Sequence, residues 1–349
     1  MSEKKITSSF NGIIEEIPSI YVDNFENPIT DGARAYFLSH IHSDHTVGLL
    51  WQYSTPVNII IEKLRLKSNV YIYTTVVTAK IIGQFSISKH LKPYVKGLDF
   101  GRHDITIPAN DREPEQTLKV TLIPAEHCIG STMFLFETTS VKVLFTGDFR
   151  IRPDDLSNYE VFHDKNGDVI KLNALYVDTT FQDVLYESFP TRSESIQEAL
   201  ELIRGYLDSH EDQFVVLKTC YDYGYEDFFN KINEELNFKV YIDDEKIFRL
   251  YSNEIPELVQ GVTDDPNETR VFLKHVPDAR KSTLKPKDIT LFAKGWYKWK
   301  EGDSCVRYNG NEVYVCYATH CSRSELNGFV DYLEPHKVIG FRDPYYREE

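Results

Sequence analysis

Four potential metal ligands fall within six residues in the run His40-Ile41-His42-Ser43-Asp44-His45. Neutral imidazole and carboxylate at that density suit zinc, and carboxylate also accepts manganese or magnesium. The chain has only 11 histidines, so three of them in one such run demand an explanation. Ala35, Tyr36, Phe37 and Leu38 read as a strand. At its exit His40 and His42 share one side, while the turn carries Asp44 and His45 toward a second point. That geometry points to two adjacent metals. Surface histidines on a loop are the bland alternative, and they leave the mixture of ligand types unexplained.

Two further candidates complete a set. His127 follows the apolar stretch Leu122-Ile123-Pro124-Ala125, and Asp148 follows Val143-Leu144-Phe145-Thr146-Gly147. Either alone reads as a turn residue at a strand end. Together with the first run they assign His40, His42 and His127 to one metal and Asp44 and His45 to a second, with Asp148 as the anionic bridge. The expected cofactor is one or two zinc ions, with manganese or magnesium as alternatives at the second position. Bound zinc lowers the pKa of its water from about 15.7 to about 7. The hydroxide so formed can act as the nucleophile of a hydrolysis, with Asp44 orienting it. No serine–histidine or cysteine–histidine pairing is needed, which disfavours a covalent mechanism.

The elements that must position these groups are legible in outline. Strand-like segments ending in or near ligands cover residues 35–39, 70–75, 119–124, 133–137 and 142–146. After Asp178 the pattern changes. Thr191 can cap a helix whose apolar face is Ile196, Leu200, Ile203 and Leu207. A strand at 214–217, a helix carrying Phe228, Ile232 and Leu236, and a strand at 239–242 follow. This alternation implies a small parallel sheet. A strand at 313–317 then leads to His320, and a helix at 322–333 returns the chain to the first domain. The expected domains are residues 1–172, an inserted domain at 173–302, and a return segment at 303–349.

Composition sets bounds. A chain of 349 residues, 41% of them hydrophobic, holds one large or two medium domains. Five cysteines, an odd number without scaffold spacing, favour a reducing compartment. Met1-Ser2-Glu3-Lys4-Lys5 leads into no apolar core, so no secretory signal is expected, and no membrane partner either. The net charge of −15 opposes a polyphosphate ligand, although bound divalent cations offset the ligand carboxylates. A locally basic groove could draw on Arg34, Lys63, Arg65, Lys67, Arg150, Arg152, Lys294, Lys298 and Arg323, with Trp296, Tyr297 and Trp299 available for base stacking.

The stretches 33–40, 124–131, 146–150 (Thr-Gly-Asp-Phe-Arg) and 176–181 (Tyr-Val-Asp-Thr-Thr-Phe) resemble the β-CASP nucleases of the DNA cross-link repair branch, within the metallo-β-lactamase fold. Residues 8–12, 20–25 and Tyr223-Gly224-Tyr225-Glu226 are similar to the hairpin-opening, end-joining members of that branch. The resemblance implies an α/β fold: an αββα metallo-β-lactamase sandwich with an inserted α/β β-CASP domain. It implies a metal-dependent DNA nuclease, a 5′-to-3′ exonuclease and/or an endonuclease at hairpins, overhangs and single/double-strand junctions, in double-strand break or cross-link repair. DNA and other end-joining or repair proteins are then the expected partners, and the nucleus the expected location. His320 and Asp178 match family motifs and are the expected catalytic companions of Asp44. The plainer reading of each is a capping histidine and a strand-end aspartate. Ser322 and Arg323 would reach phosphate oxygens. Asp23 matches another acidic motif, as a scaffold residue rather than a ligand.

Departures from the family matter too. Tyr241, Phe272 and Lys274 stand where three ligands of a structural zinc would be, so that site is expected to be absent, with His275 the one imidazole close by. Cys220 replaces a lysine and Ala318 a serine, which implies weaker dependence on a terminal 5′-phosphate. A long regulatory tail is not among these residues, so tail-mediated binding is not carried over. The alternatives are an RNA-processing β-CASP nuclease, opposed by the Thr-Gly-Asp-Phe-Arg and Asp-Thr-Thr-Phe forms of the motifs, and a small-molecule metallo-hydrolase, which gives no reason for the insert or His320. A non-catalytic scaffold would leave the complete ligand set without a purpose.

Overall fold

Alternation of apolar side chains builds the first unit. In strand β8 (Lys142–Phe145), Val143 and Phe145 face one buried cluster while Leu144 faces another. Strands β7 (Thr132–Glu137) and β9 (Ala174–Asp178) divide their residues the same way. A strand apolar on both faces must be covered on both. These strands belong to a six-stranded sheet completed by β5 (Gly101–Ile107), β6 (Gln116–Pro124) and β17 (Val338–Phe341). One face packs on a four-stranded parallel sheet of β1 (Ile20–Val22), β2 (Ala35–Phe37), β3 (Ile72–Thr75) and β4 (Val95–Leu98). The other packs on Leu326, Phe329, Val330 and Leu333 of helix α6 (Arg323–Leu333). Helix α1 (Val76–Ile82) lies against β4. The result is an αββα sandwich.

The computed structural model describes residues 10–25, 33–50, 64, 69–85, 88–274, 287–292, 296, 298–310 and 312–346. Lys63, Arg65, Lys67, His275, Lys294, Tyr297 and the opening Ser8-Ser9 lie outside them. Packing groups the chain into Met1–Gln182 with His320–Glu349, and Asp183–Thr319. Both crossings fall later than residues 172 and 302. The reason is strand pairing: β9 lies between β8 and β17, while β15 (Val306–Asn309) and β16 (Glu312–Val315) continue the other unit's sheet. Two strands, β5 and β17, carry no clear sequence signal. β5 exposes the charged residues Arg102 and Asp104 along its length, and β17 is four residues interrupted by Gly340.

The second unit is a seven-stranded sheet in the order β12 (Val262–Thr263), β11 (Val240–Tyr241), β13 (Val271–Leu273), β10 (Val215–Thr219), β14 (Lys287–Leu291), β16, β15. All its pairings are parallel except β15 with β16. Helix α3 (Arg192–Ser209) begins at a full capping box between Thr191 and Glu194 and buries Ile196, Leu200, Ile203 and Leu207. Helix α4 (Glu226–Leu236) buries Phe228, Phe229 and Ile232. At two of the positions where family members place structural zinc ligands, Tyr241 and Phe272 pack ring against ring, 5.4 Å apart at their centroids, beside Phe214 and Val216. At the third, Lys274 pairs with Asp222.

Two residues tie local conformation to measurable stability. Gly147 holds φ +56 in the turn that delivers Asp148, and a Cβ there would lie 2.7 Å from Ser39 Cβ. Gly147→Ala should therefore cost about 2 kcal/mol, read as a lowered urea midpoint. Glu226 is buried, accepting hydrogen bonds from Tyr251 Oη (2.7 Å) and Gly224 N (2.9 Å). Burial raises its pKa above 4.5, so the folded chain holds this proton more tightly than the unfolded one. Its contribution is fully present below pH 4.5 and is lost as pH rises through the folded value. Glu226→Gln should flatten that decline in urea melts taken from pH 4.5 upward.

Candidate metal centre

The HxHxDH run leaves β2 at Leu38 and Ser39, and both are held in place. Leu38 N donates to Tyr73 O and Thr132 N donates to Ser39 O. Asp23, just past β1, accepts from Ser39 N (2.7 Å) and Ser39 Oγ (2.6 Å). Ser39 Oγ in turn lies 2.9 Å from His40 Nδ1. The oxygen that accepts from Ser39 Oγ, Asp23 Oδ2, also lies 2.8 Å from His45 Nδ1. Each imidazole is thus fixed on one nitrogen and turns Nε2 inward. His127 is placed by Ser131, whose Oγ accepts from both the His127 and Cys128 N–H groups at 3.2 Å.

These elements converge on Asp148. Its Oδ2 is 3.8 Å from His40 Nε2 and 3.7 Å from His127 Nε2, while its Oδ1 is 3.3 Å from His45 Nε2. Two groups of donors able to hold a metal result: His40, His42 and His127, and Asp44, His45 and Asp148, with the ligand atoms of each group within 4.8 Å of one another. His127, Asp148 and His320 form a third such group, and Asp23, His40 and His45 a fourth. All of these side chains except those of Asp23 and Asp44 are buried.

A divalent cation suits this donor set. His40 Nε2 is buried and has no hydrogen-bond partner among the described residues, which costs about 1–3 kcal/mol. The protonation states of His40 and Asp148 suit a cation, whereas His45 must release a proton to bind one. Burial, with His45, His127 and His42 nearby, holds His40 well below the usual imidazole range, so Nε2 carries a lone pair. Burial opposes charge on His45, yet Asp148 and Asp23 raise it well above that range. Against the same burial cost, His45 and His320 hold the Asp148 carboxyl well below the usual range.

Asp178 and His320 meet, but not as two independent site groups. His320 Nδ1 lies 2.6 Å from Asp178 Oδ2 and 3.9 Å from Asp148 Oδ2. Burial opposes protonation of His320, while Asp178 and then Asp148 raise its pKa. Asp178 Oδ1 accepts from Thr180 N (2.9 Å) and Oγ1 (2.5 Å). Asp178 therefore orients His320. The returning segment is anchored by Cys321 N donating to Phe149 O and by Arg150, which grips both oxygens of Glu325 (3.1 and 3.3 Å).

Several sequence candidates have other local roles. Ser322 is buried as the N-cap of α6, in a capping box with Glu325, so its hydroxyl is committed to the helix. Arg323 is the first residue of that helix and half-buried. Arg34 is buried, donating to the carbonyls of Pro108 and Ile107 and pairing with Glu113. Arg150 is occupied with Glu325, and Arg152 pairs with Asp154. Trp296 is buried under the Arg307 guanidinium at 4.2 Å, and buried Trp299 donates Nε1 to Asp303 O. Arg34, Arg150, Trp296 and Trp299 are thus packing residues rather than a nucleic-acid platform. Sequence reasoning passed over Arg342, whose Nη2 lies 2.7 Å from Asp44 Oδ2. An isolated arginine after a short strand gives no periodic or motif signal.

The chain is similar to proteins whose family bears on this geometry. Residues 256–341 match the DNA repair metallo-beta-lactamase family. Protein artemis of Homo sapiens is 31% identical over 347 residues, covering 94% of this chain and 48% of the relative. Protein artemis of Rattus norvegicus is 29% identical over 345 residues, with the same coverage. The 5′ exonuclease Apollo of Mus musculus is 28% identical over 342 residues, covering 94% of this chain and 54% of the relative. The chain thus spans about half the length of these curated relatives. A protein of unknown function from Enterococcus faecalis V583 shares the fold at a TM-score of 0.56 and 16% identity, covering 88% of this chain and 75% of that one. Similarity to artemis thus runs along 94% of this chain, and the match to the DNA repair metallo-beta-lactamase family reaches through His320.

Proposed function

We propose that the chain is a divalent-metal-dependent DNA nuclease that hydrolyses phosphodiesters at 5′ ends, hairpins, overhangs or single/double-strand junctions. The observation that carries the reading is Asp148, whose two oxygens face the two donor groups separately. In this reading His40, His42 and His127 would hold one ion and Asp44 and His45 the other, with Asp148 presenting an oxygen to each group. The imidazole-rich position suits zinc; the carboxylate-rich one accepts zinc, manganese or magnesium. Bound there, the metal supplies Lewis acidity and an activated water near neutral pH.

The chain's own residues do the rest. Asp23 and Ser39 fix the inward nitrogens of His45 and His40, so the ligands need no reorganisation on binding. Asp178 keeps a proton on His320, making it a donor to a phosphoryl or leaving oxygen. A 5′ preference is supported by the likeness to a 5′ exonuclease, and hairpin or junction cutting by the artemis-like motifs at 20–25 and 223–226. A DNA-repair role implies DNA ends and other repair proteins as partners and the nucleus as location. No described helix is long and apolar enough to cross a membrane.

Metal content and substrate choice test this together. Purified without chelator, the protein should carry at least one equivalent of transition metal by elemental analysis; less than a tenth would sink the metal-centre reading. Matched 3′-labelled DNA and RNA, with 5′-phosphate or 5′-hydroxyl, and a hairpin with an overhang should show DNA cut from the 5′ side or at the junction. Degradation from the 3′ end, or preference for RNA, would refute the assignment.

Ligand variants should rank in a set order. Asp148→Asn removes charge from both donor groups and should lower cleavage by more than about 100-fold, with His127→Ala less severe. Asp23→Asn leaves the ligands of both proposed metal positions in place. It should still weaken metal binding about 10- to 100-fold by releasing His45, read by competition with a chromogenic chelator. Unchanged metal affinity in Asp23→Asn would remove that carboxylate from the account.

A further inference from the structure

The chain supplies a cation of its own to the second donor group. Arg342 Nη2 lies 2.7 Å from Asp44 Oδ2 and 3.7 Å from Asp148 Oδ2. Those carboxylates are two of the three members of the Asp44–His45–Asp148 group. A guanidinium stays protonated at any working pH, so acid or base does not relieve this pairing.

The placement follows from a backbone that is firmly tied. Thr179 Oγ1 lies 2.9 Å from Phe341 O and 2.8 Å from Asp343 O, and it accepts from Asp343 N at 3.1 Å. Gln182 Nε2 donates to Pro344 O at 2.9 Å, and Tyr345 Oη donates to Asn327 Oδ1 at 3.0 Å. Gly340 permits the tight return, since a Cβ there would meet Asp343 O at 2.2 Å. Arg342 itself holds φ +91, which a side chain adopts only when its surroundings impose it. The loop thus aims a fixed positive charge at the two carboxylates.

We propose that Arg342 is a resident cation of the second metal position, holding Asp44 and setting the affinity of that position for a divalent ion. The inference rests on the metal-centre reading above. It makes the two positions unequal. The histidine-rich position binds tightly. At the other, Asp44 and Asp148 must leave the guanidinium before they can serve as ligands, which would free Arg342 to bind a phosphate oxygen. The carboxylates that the sequence assigns to a second metal are thereby partly neutralised in advance.

The test is a Mn2+ titration of the protein as purified, with free ion read by electron paramagnetic resonance and bound ions counted by native mass spectrometry. Two variants share the work: Arg342→Gly fits the positive φ, and Arg342→Gln keeps length and polarity without charge. Wild type should retain one ion and take up a second weakly. In both variants the second ion should bind about tenfold tighter or more, with the first unchanged and native circular dichroism. Arg342→Lys should stay close to wild type. A second affinity unchanged in Arg342→Gly and Arg342→Gln would overturn the inference while leaving the metal centre standing. Failure of wild type to retain or bind any ion would overturn the metal centre and the inference with it.

Discussion

A carboxylate at the centre of four imidazoles sets the terms for everything around it. Asp148 is buried, and water cannot stabilise its charge; only the neighbouring groups can. Without a metal, protons on His45 and His320 serve that purpose. A divalent cation serves it better, because it also satisfies His40 Nε2, which is buried without a partner. The fold is arranged so that this exchange needs little movement. Ser39, Asp23 and Asp178 each hold a ring nitrogen of His40, His45 and His320, at 2.9, 2.8 and 2.6 Å.

The sandwich explains how residues so far apart in sequence reach that point. β2, β6, β8 and β9 all run out at one edge, and the ligands or their supports sit just past them. Turn residues then decide the aim. Gly147 lets the β8 turn pass against Ser39, and Glu126 holds φ +56 immediately before His127. The returning segment is bound by the Phe149–Cys321 backbone contact and the Arg150–Glu325 pair. Arg150 belongs to the same short motif as Asp148, so one stretch of five residues both supplies the central carboxylate and anchors the helix that follows His320.

What the sequence makes legible is local. The HxHxDH run, His127 and Asp148 stand out because ligand type and strand-end position coincide within a few residues. The apolar face of α3 and its Thr191 cap are legible for the same reason. Long-range pairing is not. Arg34 looks like a groove residue, yet its partners Pro108 and Glu113 lie more than seventy residues away. Ser322 resembles a phosphate binder by proximity to His320, but the capping box claims its hydroxyl. β17 and Arg342 are invisible because four residues with a central glycine give no period. The unit boundaries shift because strand pairing decides them, and composition carries no trace of pairing.

Anomalous diffraction from crystals of the purified protein, collected above and below the zinc absorption edge, addresses the central claim most directly. A peak within coordination distance of His40, His42, His127 and Asp148 is the expected result, with any second peak beside Asp44 and His45 weaker. No peak at Asp148, or an ordered water bonded to His40 Nε2 in its place, would contradict the account.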